Sequence, residues 1–160
     1  MCRCGLGLEF PIPTTQGAQE MAKPTYRDAT LMLQLAQWHA SLNLIEALNW
    51  LWSDQFVVDY EEFAKKYPWG SEGRVSAAKI GGVFETLGTL YKHGLFNEDL
   101  LFDWLAVSMV WERIKGYALG VRQEAGYPGI PENFEALAAA GAAHAARSAK
   151  RSAATKRTKK

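Results

Sequence analysis

Apolar residues recur at helical spacing along most of this chain. In the first such segment, Leu31, Leu35, Trp38 and Leu42 are three or four residues apart and share one helix face. Comparable stripes, each bounded by capping residues, glycine or proline, divide the chain into five predicted helices, three long and two short. Their predicted ranges are 26–53, 59–66, 71–93, 97–125 and 132–146.

The predicted helix ends depend on residues that satisfy free peptide groups. Thr25 and Asp28 have the spacing of a capping box, and Asn97 suits the first position of a later helix. Gly94 follows a predicted helix and tolerates the left-handed conformation that commonly ends one. Because both kinds of end are marked, we expect short turns between the helices.

No segment alternates apolar and polar residues over more than four positions, as a half-buried strand does. The pattern therefore predicts an all-α protein, an antiparallel helical bundle of three long and two short helices. Residues 1–24 lack periodicity and are expected to be a disordered leader, in which Met21 is an alternative start. Residues 25–146 form the predicted helical domain. Residues 147–160 form a basic tail that is expected to be disordered.

Charge is distributed unevenly between the two parts of the chain. The net charge is +1, yet residues 142–160 carry seven bases and no acid. The rest of the chain holds the other 11 of the 18 bases and all 17 acids, so its net charge is −6. An acidic body joined to a basic tail indicates that the tail has a polyanionic partner, or that it rests on its own body.

The composition favours a soluble, cytoplasmic protein. Hydrophobic residues make up 48% of the chain and charged residues 22%, which is ordinary for a folded domain. Residues 29–45 are uncharged but too short and too polar for a bilayer-spanning helix, and the first 20 residues lack a secretory signal. We therefore expect a cytoplasmic location and no membrane partner.

Three acids are the candidates for chemistry. Glu85, Glu112 and Glu135 each lie beside a large aromatic residue in an apolar helix. If the three converge, they can bind a metal ion or act as an acid–base pair. In the alternative, each pairs with a nearby base or a helix N-terminus, because a buried unpaired carboxylate is costly. The chain has no phosphate-binding loop, nucleophile elbow or zinc-peptidase motif, so we expect no cofactor and do not favour an enzyme.

The aromatic residues point to binding of another protein. Six Trp residues in 160 exceed what one core requires, and a surplus aromatic patch suits an interface. Trp50, Trp52, Phe56 and Trp69 are the candidate interface residues. The favoured function is a non-enzymatic protein-interaction module that binds a protein partner or associates with itself into a homo-oligomer.

The basic tail supports an alternative function in nucleic-acid binding. Its bases can neutralise several phosphates without sequence preference, and it has no aromatic residue on which bases could stack. In the other interpretation, the tail is only solvated. The candidate contact residues are Lys150, Arg151, Lys156, Arg157, Lys159 and Lys160.

Short aromatic–acid pairs and glycines form a further pattern between residues 75 and 138. Its residues are Phe84-Glu85, Gly88, Gly94-Leu95, Trp111-Glu112-Arg113, Arg122 and Asn133-Phe134-Glu135. With them the chain resembles a family of bacterial all-helical proteins known only as a domain of unknown function. The resemblance implies an all-α fold and no known activity. Members of that family often carry a membrane helix near the N-terminus, and this chain has none there.

Overall fold

The structure, a computed structural model, describes residues 23–158, and side chains as far as Ala153. Within this range every regular element is an α-helix, so the predicted all-α class is confirmed. The predicted count of three long and two short helices is wrong, because seven helices are present in the described range. They are α1 (Tyr26–Ser41), α2 (Leu44–Leu51), α3 (Tyr60–Lys66), α4 (Glu72–Lys92), α5 (Glu98–Trp104), α6 (Val107–Ala125) and α7 (Glu132–Thr158).

Two predicted long helices are each interrupted once. The predicted helix 26–53 divides at Asn43, which adopts a left-handed conformation with φ 50°. Asn tolerates this region better than most residues because its short side chain adds little steric strain there. The predicted helix 97–125 divides where Leu105 takes an extended conformation, with φ −118° and ψ 123°. The apolar stripe crosses both interruptions, so hydrophobic spacing alone does not reveal them.

Helix caps occur where the sequence predicts them. Thr25 and Asp28 form the reciprocal capping box at the start of α1, and the Thr25 backbone N–H lies 2.7 Å from Asp28 Oδ2. Asn97 caps α5 by accepting a hydrogen bond from the backbone of Leu100. Gly94, with φ 68°, ends the chain's helical path after α4. These contacts satisfy peptide groups that the helix ends leave free.

The last helix is longer than predicted. The sequence pattern ends it at Ala146, whereas α7 continues to Thr158 through a segment rich in alanine, lysine and arginine. These residues have high helix propensity, so the backbone propagates beyond the last apolar contact. The division of the chain into leader, domain and tail stays a prediction, as does the antiparallel arrangement, and residues 1–22 lie outside the described range.

The core is formed by apolar side chains from all seven helices and from the loop before α3. α4, α6 and α7 contribute most of them, and α2 packs against α4. The fully or nearly fully buried members are Leu35, Leu44, Ala47, Leu51, Phe56, Phe63, Ala77, Ile80, Val83, Phe84, Leu87, Leu101, Val107, Val110, Trp111, Ile114, Tyr117, Ala118, Phe134, Leu137 and Ala138. Aromatic rings thus fill much of the space between the helices.

Candidate functional site

The Glu85 carboxylate caps the N-terminus of α7. It accepts hydrogen bonds from the backbone N–H of Phe134 at 2.8 Å and from the side-chain amide of Asn133 at 2.7 Å. The Asn133 backbone N–H adds a third contact at 3.3 Å. A carboxylate is favoured at this position because the helix dipole and the free N–H groups both attract negative charge. Glu85 therefore joins α4 to α7.

Aromatic stacking and a close backbone approach complete this junction. The Phe84 ring stacks on Phe134 with centroids 4.8 Å apart, and Trp111 meets Phe134 edge-on at 5.0 Å. Gly88 lies so near α7 that an added Cβ would collide with the carbonyl of Asn133. We call Phe84, Glu85, Gly88, Trp111, Asn133 and Phe134 the α7 junction. The junction accounts physically for much of the residue pattern on which the resemblance depends.

The other two candidate acids have separate partners. The Glu135 carboxylate accepts a hydrogen bond from Arg122 at 2.7 Å, and Arg122 also donates to the carbonyl of Ile130 at 2.6 Å. Glu112 is exposed and pairs with Lys115 at 2.6 Å within α6. In residues 23–158, no group of three or more His, Cys, Asp or Glu residues is placed to hold a metal ion. The contacts of Glu85 and Glu135 therefore link structural elements, and Glu112 lies at the surface.

The four candidate interface residues separate into two pairs. Trp50 packs edge-on against Phe56, with centroids 5.3 Å apart, and Phe56 is buried. Trp52 and Trp69 are instead 50% and 74% exposed. Trp50 and Phe56 therefore contribute mainly to the core, and Trp52 and Trp69 remain available at the surface.

Trp52 lies at one edge of a shallow apolar groove. Ser108, Met109, Glu112 and Arg113 line the rest of this groove, which has a volume of about 410 Å³. We call these five residues the Trp52 patch. Met109 is 60% exposed, and its flexible thioether suits contact with apolar surfaces of varied shape.

A partly buried arginine holds the Trp52 patch in place. The Arg113 guanidinium donates to the carbonyls of Leu51 at 3.1 Å and Ser53 at 3.4 Å, which flank Trp52 in the chain. Leu51 itself is fully buried. The end of α2 is therefore fixed against α6, and Trp52 is held beside Met109 before any partner arrives. Such preorganisation reduces the entropy lost on binding.

Trp69 covers a buried cation that the sequence pattern does not reveal. Arg74 is 4% exposed, its guanidinium lies 4.1 Å from the centre of the Trp69 ring, and its Nε atom has no hydrogen-bond partner within the described part of the chain. Arg74 also donates to the Tyr60 hydroxyl at 3.2 Å, and that hydroxyl donates to Glu124. Burial, and then the hydrogen bond to Glu124, raise the pKa of Tyr60 to about 12. Trp69 is thus partly committed to shielding Arg74.

His39 is a second buried polar residue, on α1. Its ring stacks on Trp104 with centroids 5.4 Å apart and is tilted against Trp38. Among the described residues the Nε2 atom has no hydrogen-bond partner, and burial lowers the pKa of the imidazole. The imidazole therefore packs as one of the rings between α1 and α5.

The basic residues of the tail occupy the extension of α7. Lys150 and Arg151 are exposed on this helix. Lys156 and Arg157 lie in its helical backbone, and their side chains are outside the described range. Lys159 and Lys160 lie beyond the described residues. The described bases therefore lie on the exposed, helical continuation of α7.

Comparisons with known proteins identify a family. No curated protein and no solved structure matches the chain at a significant level. Within residues 23–158, no helix has both the length and the apolarity that crossing a bilayer requires. The family model described as Domain of unknown function (DUF4760) matches residues 24–140, which confirms the resemblance and extends it beyond the predicted stretch 75–138. Because this match covers more than half of the chain, the protein belongs to the DUF4760 family.

Proposed function

We propose that this protein is a non-enzymatic interaction module that binds an apolar face of another protein, or of a second copy, through the Trp52 patch. The observation that carries the proposal is the joint exposure of Trp52 and Met109 on a surface fixed by Arg113. Exposed Trp and Met residues held in position are typical of interface centres. Ile45, which lies seven residues before Trp52 and is 74% exposed, extends the same face of α2.

The patch has the chemical anatomy of a small interface. Its apolar centre is bordered by the charged side chains of Glu112 and Arg113. Arg113 is already hydrogen-bonded within the protein, so its burial by a partner would leave fewer unpaired donors. The partner we expect presents one or two large apolar side chains to Trp52 and Met109.

The test places a photo-crosslinking amino acid at position 109 in living cells. We expect a defined crosslinked product that mass spectrometry identifies as one partner protein or as a second copy, and that Trp52→Ala removes. The matched control places the same amino acid at Tyr26, which is exposed but remote in the chain from the patch. The same products from both positions, or a product insensitive to Trp52→Ala, would contradict the proposal.

A second candidate function is nucleic-acid binding through the tail. The supporting observation is that α7 continues to Thr158, because a helix holds Lys150 and Arg151 on an exposed, regular scaffold. Contacts of this kind are made with phosphates and are strongly salt-dependent. Fluorescence anisotropy with a labelled DNA or RNA duplex measures the affinity of the full chain and of a Lys150→Glu, Lys156→Glu, Arg157→Glu variant. Affinity that survives these changes, or that does not fall as salt rises, would exclude this function.

A further inference from the structure

A groove between the start of α3 and the second half of α6 is lined in part by acids. It lies between residues 58–61 and residues 116–124 and has a volume of about 890 Å³. We call it the acidic groove. Asp59, Glu61 and Glu124 contribute three carboxylates, and none of the described residues that line it is Lys, Arg or His. Val58 and Leu119 expose apolar surface at its edges.

The acidic groove is preformed by close packing of the loop before α3 on α6. An added Cβ at Gly116 would collide with the Val58 carbonyl, and one at Gly120 would collide with the Tyr60 ring. The Tyr60 hydroxyl also donates a hydrogen bond to Glu124. The walls are therefore fixed without a ligand, as in most binding clefts.

The charge of the groove is only partly balanced from within. Arg74 is buried behind Tyr60, and its guanidinium lies 3.8 Å from the Glu124 carboxylate. Asp59 accepts a hydrogen bond from the Glu62 backbone as the cap of α3, and Glu61 is exposed. Two carboxylates thus remain without a basic side chain among the contacts that the structure records. A groove with this charge and with apolar edges favours a basic segment that also carries small apolar residues.

The C-terminal segment of the same chain has that chemistry. Residues 147–160 contain seven bases, three alanines and no acid. The segment is helical to Thr158, and residues 149–151 and Ala153 are exposed. Alanine methyl groups can contact Val58 and Leu119 while the bases face Asp59 and Glu61.

The geometry of α7 separates this segment from the acidic groove of its own copy. The groove-bearing end of α6 meets α7 near its start, where Arg122 pairs with Glu135. The far part of α7 is held by α5, where Arg147 pairs with Glu98 and His144 lies 2.9 Å from Asp99. A helix rises about 1.5 Å per residue, so residues 149–158 begin about 20 Å beyond Glu135 and continue away from it. While this segment is helical, the acidic groove that it can reach belongs to another molecule.

We propose that the basic C-terminal segment 147–160 of one copy docks in the acidic groove of a second copy. This contact joins two different surfaces, so it is heterologous and propagates into chains or closes into rings. Because it consists largely of exposed ion pairs, the association is weak and falls with ionic strength. It uses a different surface from the Trp52 patch, so either proposal can fail without the other.

Analytical ultracentrifugation tests this contact by measuring the mass of charge-reversal variants of the full chain. The protein is first freed of nucleic acid. The groove variant is Glu61→Lys with Gln123→Lys, and its matched control is Glu46→Lys with Gln34→Lys, which makes the same charge change on exposed residues outside the groove. The segment variant is Lys150→Glu with Lys156→Glu and Arg157→Glu. Circular dichroism verifies that each variant is folded.

At low salt the average mass of the parent protein and of the matched control is expected to rise with concentration above the 17.8 kDa monomer, and high salt should reverse this rise. The groove variant and the segment variant should each lose this salt-sensitive rise. An equimolar mixture of the two should form a heterodimer, because the groove variant retains an intact segment and the segment variant retains an intact groove. A parent protein that is monomeric at low salt, a groove variant that associates like the parent, or a mixture that stays monomeric would each overturn the proposal. A Trp52→Ala variant should keep this salt-sensitive association.

Discussion

The two ends of α7 differ in what makes them helical. The first end is held by tertiary contacts, since Glu85 caps it and Phe134 is fully buried between Phe84 and Trp111. The other end, after Ser148, is exposed wherever its side chains are described, and its helicity depends on local propensity. One continuous helix therefore combines a structural element of the core with a projecting charged segment. The comparison shows that a helical backbone alone does not tell whether a segment is packed in the core or exposed at the surface.

The largest effect should come from removing the ring at the centre of the α7 junction. Phe134→Ala leaves a cavity between two aromatic rings and is expected to lower the free energy of unfolding by about 3–5 kcal/mol. Urea denaturation followed by circular dichroism measures the change. Phe134→Leu, which retains most of the volume, should cost clearly less. A loss below 1 kcal/mol for the alanine variant would show that the two ends of α7 differ less than the packing indicates.

A methyl group added at the junction should be the next most damaging change. Gly88→Ala forces a Cβ against the Asn133 carbonyl and is expected to cost about 1–3 kcal/mol of stability. Gly82→Ala is the matched control on the same helix, because nothing lies within 4 Å of its added Cβ and it is exposed. The control should stabilise the protein by up to about 1 kcal/mol through helix propensity. Thermal melts that move both variants in the same direction would contradict the close approach of α4 and α7.

Removing the charge of the α7 cap should have a smaller effect. Glu85→Gln keeps the side-chain shape but replaces charge-assisted hydrogen bonds with neutral ones, so we expect a loss of about 1–2 kcal/mol. Glu112→Gln is the matched control, because its exposed pair with Lys115 should contribute less than about 1 kcal/mol. Equal urea midpoints for the two variants would mean that Glu85 does not support α7.

Sequence reasoning identified the helical class and the caps because both depend on local chemistry. Thr25, Asp28, Asn97 and Gly94 mark helix ends through their own side chains or conformational freedom. The interruption at Asn43 was not predicted, because the apolar stripe continues through it. Whether one apolar stripe forms one helix or two depends on the helices against which it packs. Those helices are distant in the sequence.

The candidate site was predictable in its residue types but not in its geometry. The sequence named Glu85 as a candidate acid and Trp52 as a candidate interface residue, yet it did not show that Glu85 faces the start of α7, 48 residues away. It also missed Arg74, whose burial depends on Trp69, Tyr60 and Glu124 from three different segments. Among the interface candidates, Trp50 and Phe56 are aromatic like Trp52 and lie within four residues of it in the sequence. Only the packing distinguishes core rings from surface rings.

The smallest effect on global stability is expected at the projecting end of α7, and it tests the comparison most directly. Ala153→Gly lowers helix propensity by about 1 kcal/mol at an exposed position, so it should reduce the helical signal at 222 nm slightly. The free energy of unfolding should change by less than about 0.5 kcal/mol, because Ala153 is exposed and is not among the described residues that form the core. The same change at Ala138, which is 3% exposed, should lower the unfolding free energy by at least about 1 kcal/mol. If Ala153→Gly instead matched Ala138→Gly, the end of α7 would be packed on the body of its own copy. It would then be unavailable both to nucleic acid and to the acidic groove of a second copy.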